Sequence, residues 1–144
     1  MELPELFHIG GAVAMLGWLG LLASLLVRGL RQASRAAARF IIPALLGVAY
    51  VVLIVEGWNK ATGGGFGSIE QVRALFSVDA ALTAGWFHYL AFDLFVGSWI
   101  AEDGLQNRVH PLLLVPCLAL TFLFGPAGLL LFFGIRLVSI RRTA

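Results

Sequence analysis

The chain has 144 residues, 60% of them hydrophobic and only 12% charged, with a mean hydropathy of +0.92. Soluble domains carry roughly a quarter of charged residues, so this composition excludes an ordinary water-facing surface and predicts lipid as the solvent. A single cysteine, Cys117, excludes a disulfide-stapled module, and the net charge of +2 comes from basic residues outside the apolar runs, where membrane topology accounts for them and nucleic acid is set aside.

Four apolar stretches, 6–27, 40–56, 80–101 and 111–137, approach the roughly 20 residues that a helix needs to cross about 30 Å of hydrocarbon. The expectation is an all-α polytopic membrane protein, one domain over 1–144, built as a four-transmembrane-helix bundle. The first stretch begins with Glu2 and Glu5 and has its basic residues after the apolar run, the reverse of a signal peptide. Its Gly10, Gly11, Gly17 and Gly20 either offer a close approach to a neighbouring helix or reflect the glycine content of membrane helices. Arg28, Arg31, Arg35 and Arg39 fill the first connection, whose charge density predicts a cytoplasmic loop and an outer N-terminus, although the Lys and Arg totals tie at 5 for the two orientations.

The second stretch is short and is extended into the interface by Glu56, Gly57 and Trp58. The connection after it contains Gly63, Gly64, Gly65 and Gly67 without the Lys-Ser/Thr ending of a phosphate-binding loop. Ser68 and Gln71 form a capping pattern that predicts a short amphipathic helix over Ile69–Phe76, lying on the surface or folded back over the bundle.

The third stretch carries the ionisable groups. Trp86, His88, Tyr89 and Asp93 lie near its middle, and His88 and Asp93, five residues apart, are about 140° apart around a regular helix. A carboxyl in this position can give a proton and its conjugate base can take one, which makes Asp93 the candidate acid/base; a packing role is the alternative. Glu102, Asp103, Asn107 and His110 cap the turn into the fourth stretch. A metal, if present, would draw on His88, Asp93, Glu102, Asp103 and His110, yet no His-x-x-x-His or Glu-x-x-His spacing occurs. In the fourth stretch Pro116 and Pro126 remove backbone hydrogen bonds, free the carbonyls of Leu112 and Phe122, and predict kinks beside Gly125 and Gly128. Cys117 lacks a basic neighbour and reads as a small buried hydrophobe.

The series Trp86-x-His88-x4-Asp93-Leu94-Phe95, then Asp103-Gly104, then Gly125-Pro126-Ala127-Gly128, resembles the family named for abscisic acid deficiency, small four-helix membrane proteins linked in plants to neoxanthin synthesis. The resemblance is densest over 79–131. It implies a carotenoid or other isoprenoid ligand and isomerisation of an epoxide to an allene, with Asp93 and His88 as the catalytic pair and Asp103 in support. The Gly85 and Gly97 gaps, the Pro126 kink and the aromatic surround predict a ligand slot between the third and fourth helices, open to the bilayer and lined by Trp86, Tyr89, Phe92, Phe95, Gly97, Trp99, Phe122, Phe124, Gly125 and Pro126. No long plastid-targeting extension precedes the first stretch, which suggests a bacterial-type member in the inner membrane. The expected partners are membrane lipid, the isoprenoid ligand and, as an option, a second copy of the chain. No cofactor is called for by the acid/base reading. Two rivals stand beside it: a carotenoid- or lipid-binding protein without catalysis, and a small metal-dependent membrane oxidoreductase.

Overall fold

A computed structural model describes residues 2–141, with side chains described as far as Val138, and every element among the described residues is helical. α1 (Leu3–Leu26) begins with Pro4 in its first turn and with Glu2 and Glu5 in a reciprocal capping box. After a break at Val27 the chain forms one rod over Arg28–Lys60: a 3₁₀ turn, α2 (Arg31–Ala36), a π turn (Ala37–Ile41) and α3 (Ile42–Lys60). The connection expected as a loop is therefore helical, as its run of Ala, Arg, Gln and Leu favours. Pro43 in the first turn of α3 cannot donate backward, and the π turn just before it takes up the mismatch, with Ile42 N–H reaching the Ala37 carbonyl.

α4 (Ile69–Phe76) forms over the residues expected, with Ser68 Oγ accepting from Gln71 N–H at 3.3 Å and Gln71 Oε1 accepting from Gly67 N–H at 2.9 Å. It does fold back over the bundle, its Phe76 ring lying against Gly85. α5 (Asp79–Gln106) is the central rod, 28 residues or about 42 Å long. It runs parallel to α1, with Phe87 against Gly10, Leu94 against Gly17 and Trp18 against Gly97. It runs antiparallel to α3, where Tyr50 meets His88 and Gly57 meets the Ala81 backbone so closely that an added Cβ would fall 2.6 Å from Ala81 N. Gly10 and Gly17 thus serve helix packing, while Gly11 faces open space. α5 ends in paired reverse bonds, Arg108 N–H to Leu105 O and Val109 N–H to Gly104 O, with Arg108 in the left-handed region at φ 58° and Val109 buried.

The fourth apolar stretch does not run through as one kinked span. α6 (Pro111–Phe124) stops at Gly125, whose φ of 46° leaves the helical region, and α7 (Pro126–Arg141) returns along it. Two contacts fix the reversal: Gly128 lies against the Thr121 and Cys117 backbone, and Arg136, far along α7, pairs with Asp103 beside the start of α6. Trp99 of α5 packs edge-on to Phe132 of α7 at 5.4 Å on the same course. The fold is consequently three long rods and a half-length hairpin whose tip lies at the level of Asp93. Pro116 stays within α6, and at the second of the two expected kinks the chain reverses direction.

Arg28, Arg31, Arg35, Arg39, Arg108 and Arg136 gather at one end of the fold, and Lys60 and Arg73 lie at the other; Arg142, part of the earlier count, is outside the described residues. Apolar side chains remain open on the outer faces, Leu16 at 69% and Val48 at 68% exposure, and Leu3–Leu26 and Arg28–Lys60 are long and apolar enough to cross a membrane.

Gly128→Val should collapse the hairpin, because its Cβ would fall 2.2 Å from the Thr121 backbone N, whereas Gly47→Ala has nothing within 4 Å. The thermal midpoint should fall by many degrees for the first variant, while the second gains up to about 1 kcal/mol from helix propensity. Equal midpoints would contradict the reversal.

Candidate functional site

The half-length hairpin leaves the other half of the α1–α5 groove unfilled. A cavity of about 820 Å³ occupies that half, walled by Phe7 and His8 of α1, Phe76 of α4, and Leu82, Trp86 and Tyr89 of α5. Its walls are mainly apolar, with His8, Asp79, Thr83 and Tyr89 as the polar exceptions. Trp86 stacks between Phe7 at 5.8 Å and Tyr89 at 5.2 Å, a flat aromatic run.

Tyr89 links the cavity to the hairpin tip. Its hydroxyl donates to the Phe122 carbonyl at 3.1 Å, the carbonyl that Pro126 deprives of its helical N–H partner. One turn further along α5 stands Asp93, half-buried, with Oδ1 2.8 Å from the point where a Cβ on Gly125 would sit. Its Oδ2 is buried without any hydrogen-bond partner among the described residues. Such an orphaned carboxyl oxygen is costly to bury.

The other expected site residues disperse. His88 points to the opposite face of α5, exposed, with its ring on Phe92 at 4.5 Å and Tyr50 at 5.8 Å and no hydrogen bond among the described residues. It shares a separate hollow of about 290 Å³ between α3 and α5 with Phe92 and Phe95. The 140° offset read from the helix period therefore persists in the fold, and His88 and Asp93 do not form a pair. Asp103 is ten residues, or about 15 Å, beyond Asp93 and is bound by Arg136, with Nη2 to Oδ1 at 3.1 Å. That places it in an ion pair at a distance from Asp93.

The expected metal ligands scatter likewise. Glu102 is held by Arg35 and Arg39, and His110 caps α6 by accepting Leu112 N–H at 3.3 Å on Nδ1. No three His, Cys, Asp or Glu side chains among the described residues stand together as a metal cluster. Of the expected slot, Trp86 and Tyr89 line the cavity and Phe122, Gly125 and Pro126 form the tip, but Gly97 is filled by Trp18 and Trp99 is packed on Phe132. The cavity lies between α1, α4 and α5, not between α5 and α6. Phe7, His8 and Phe76 were not foreseen as wall residues, and only the expected fold-back of α4 signalled any of them.

The sequence profile described as ABA DEFICIENT 4-like matches residues 5–132. The chain belongs to that family. Among curated relatives, Protein ABA DEFICIENT 4, chloroplastic, of Arabidopsis thaliana is 30% identical over 92 residues, 59% of this chain and 40% of the plant protein. The chain thus spans about two fifths of that relative's length. No solved structure matches. The family match covers Tyr89, Asp93 and the whole hairpin tip.

Tyr89→Phe should leave the Phe122 carbonyl unpaired and lower stability by about 1–3 kcal/mol, the cost of an unsatisfied buried acceptor. A thermal midpoint equal to the wild type would show that the hydroxyl does not hold the tip.

Proposed function

We propose that the protein is a membrane-embedded enzyme of a carotenoid or related isoprenoid lipid, working by acid/base chemistry at Asp93. The observation that carries this reading is the unpartnered Asp93 Oδ2 one turn beyond a mainly apolar cavity, under a tip held by Tyr89. A polyene fits a long wall of Phe7, Trp86 and Leu82 and would reach the cavity from the bilayer. For the epoxide-to-allene reaction of the family's plant relatives, one carboxyl suffices. Neutral Asp93 gives its proton to the epoxide oxygen as the C–O bond opens, and the carboxylate so formed takes the proton from the neighbouring polyene carbon as the allene forms. Protons and electrons balance without an oxidant. His88, on the other face, has no part in this step.

In the bilayer α1, the Arg28–Lys60 rod and α5 cross, and α6–α7 enters halfway and returns. The arginine end faces the cytoplasm by the positive-inside rule, which we assign to a bacterial inner membrane. The N-terminus is then outside and the end of α7 inside. Reporters placed after Arg39 and after Val138 should report the same side, and one at Gly64 the opposite side; opposite results for the first pair would restore a fourth crossing.

Asp93→Asn keeps shape and should insert normally and still co-purify pigment, yet lose turnover by at least about 100-fold, as expected for removal of an acid/base group. His88→Phe should keep turnover within about threefold. The measurement is product formation from an epoxy-carotenoid in liposomes. Full activity of Asp93→Asn would overturn the mechanism, and bound pigment that wild-type protein never converts would favour the non-catalytic binding protein.

A further inference from the structure

At the opposite end from the cavity, two guanidinium groups meet a single carboxylate and a third, that of Arg31, belongs to the same helical segment. Glu102 binds both Arg35 and Arg39. Arg31 spends Nε on the Ser24 carbonyl at 3.2 Å and Nη2 on the Leu25 carbonyl at 3.5 Å, where α1 ends. Arg35 Nε reaches the Arg31 carbonyl at 3.2 Å, and Arg39 Nε reaches Ser98 Oγ at 3.2 Å. Each fork is thereby fixed on one edge by the protein. Arg31 Nη1, Arg35 Nη2 and Arg39 Nη2 are left without partners among the described residues, and the last of these is buried.

Arg31 and Arg35, with Ser24, Glu102 and Gln106, line a hollow of about 200 Å³ between the ends of α1, α2 and α5. Its net charge is positive because Glu102 offsets only one of the arginines around it. Immobilised forks with a spare donor edge suit a tetrahedral oxyanion, which accepts from two guanidiniums at once. Beside the hollow, Leu26 is 75% exposed and Leu30 43%, apolar surface at the height where acyl chains begin. We propose that this hollow binds the phosphate of an anionic membrane lipid, its acyl chains lying along the end of α1. The proposal rests on the membrane reading above but not on the isoprenoid chemistry. Basic pockets between membrane helices at the cytoplasmic face recognise head groups in this manner.

The test uses the full chain, delipidated in a neutral detergent, with its thermal midpoint followed as lipid is added. Phosphatidylglycerol should raise the midpoint at about tenfold lower concentration than phosphatidylcholine, the worth of one charge-assisted pair of bonds. Arg31→Gln should erase that preference and leave the phosphatidylcholine response intact, and Arg73→Gln, at the far end, should change neither. Arg35→Lys, which keeps a cation for Glu102 but loses the fork, gives the same loss should Arg31→Gln not fold. Equal responses to the two lipids, or a preference kept by both variants, would overturn the site. Inorganic phosphate as effective as phosphatidylglycerol would overturn the lipid source. Failure of the membrane reading is separately visible as a chain that remains in solution after detergent is removed.

Discussion

The turn at Gly125-Pro126 is the constraint on which the rest of the molecule depends. Pro126 brings no N–H to continue α6, Gly125 adopts a φ of 46° that a side chain disfavours, and Gly128 lets the returning helix rest on the Thr121 backbone. Each of the three would be a minor feature alone. Together they convert one apolar stretch into a hairpin about 20 Å deep, set by the 14 residues of α6. The cavity is the space that this shortfall leaves beside α5, and the Phe122 carbonyl that Tyr89 satisfies is a direct product of Pro126.

Polar groups on α5 divide along its long axis into those held in ion pairs and one that is not. At its arginine end Glu102 and Asp103 are consumed by ion pairs that tie α2, the π turn and α7 to the central rod. Those contacts join segments far apart in sequence, and with limited exposure they hold the hairpin's open end and the rod against α5. At mid-height Asp93 has no such partner. Its carboxyl interacts with Tyr89 one turn back, and its Oδ2 is buried without a hydrogen-bond partner among the described residues.

Much of the fold was legible in order of physical simplicity. Composition and run length specify an all-helical chain with helices long and apolar enough to cross a membrane, since both depend only on how many apolar groups the residues carry. The capping pattern at Ser68 and Gln71 specifies α4 to the residue, because a cap involves neighbours three positions apart. The angular offset of His88 from Asp93 follows from the helix period, although the family resemblance implied that the two act as a pair. The Phe122 carbonyl was identifiable as free because a proline's effect reaches only four residues back.

What the sequence could not decide were the events that need two distant segments. Whether the break at Gly125-Pro126 is a kink or a reversal depends on Gly128 finding the Thr121 backbone and Arg136 finding Asp103, contacts invisible to local rules. The same limit placed the cavity against α1 and α4 instead of α6, because Gly97 looked like a gap until Trp18 of α1 filled it. The reversal also brings Arg136 to the side of Arg28, Arg31, Arg35 and Arg39. Local chemistry therefore determined the elements and the candidate acid, Asp93, while tertiary packing decided which partners were taken and so which polar group was left free.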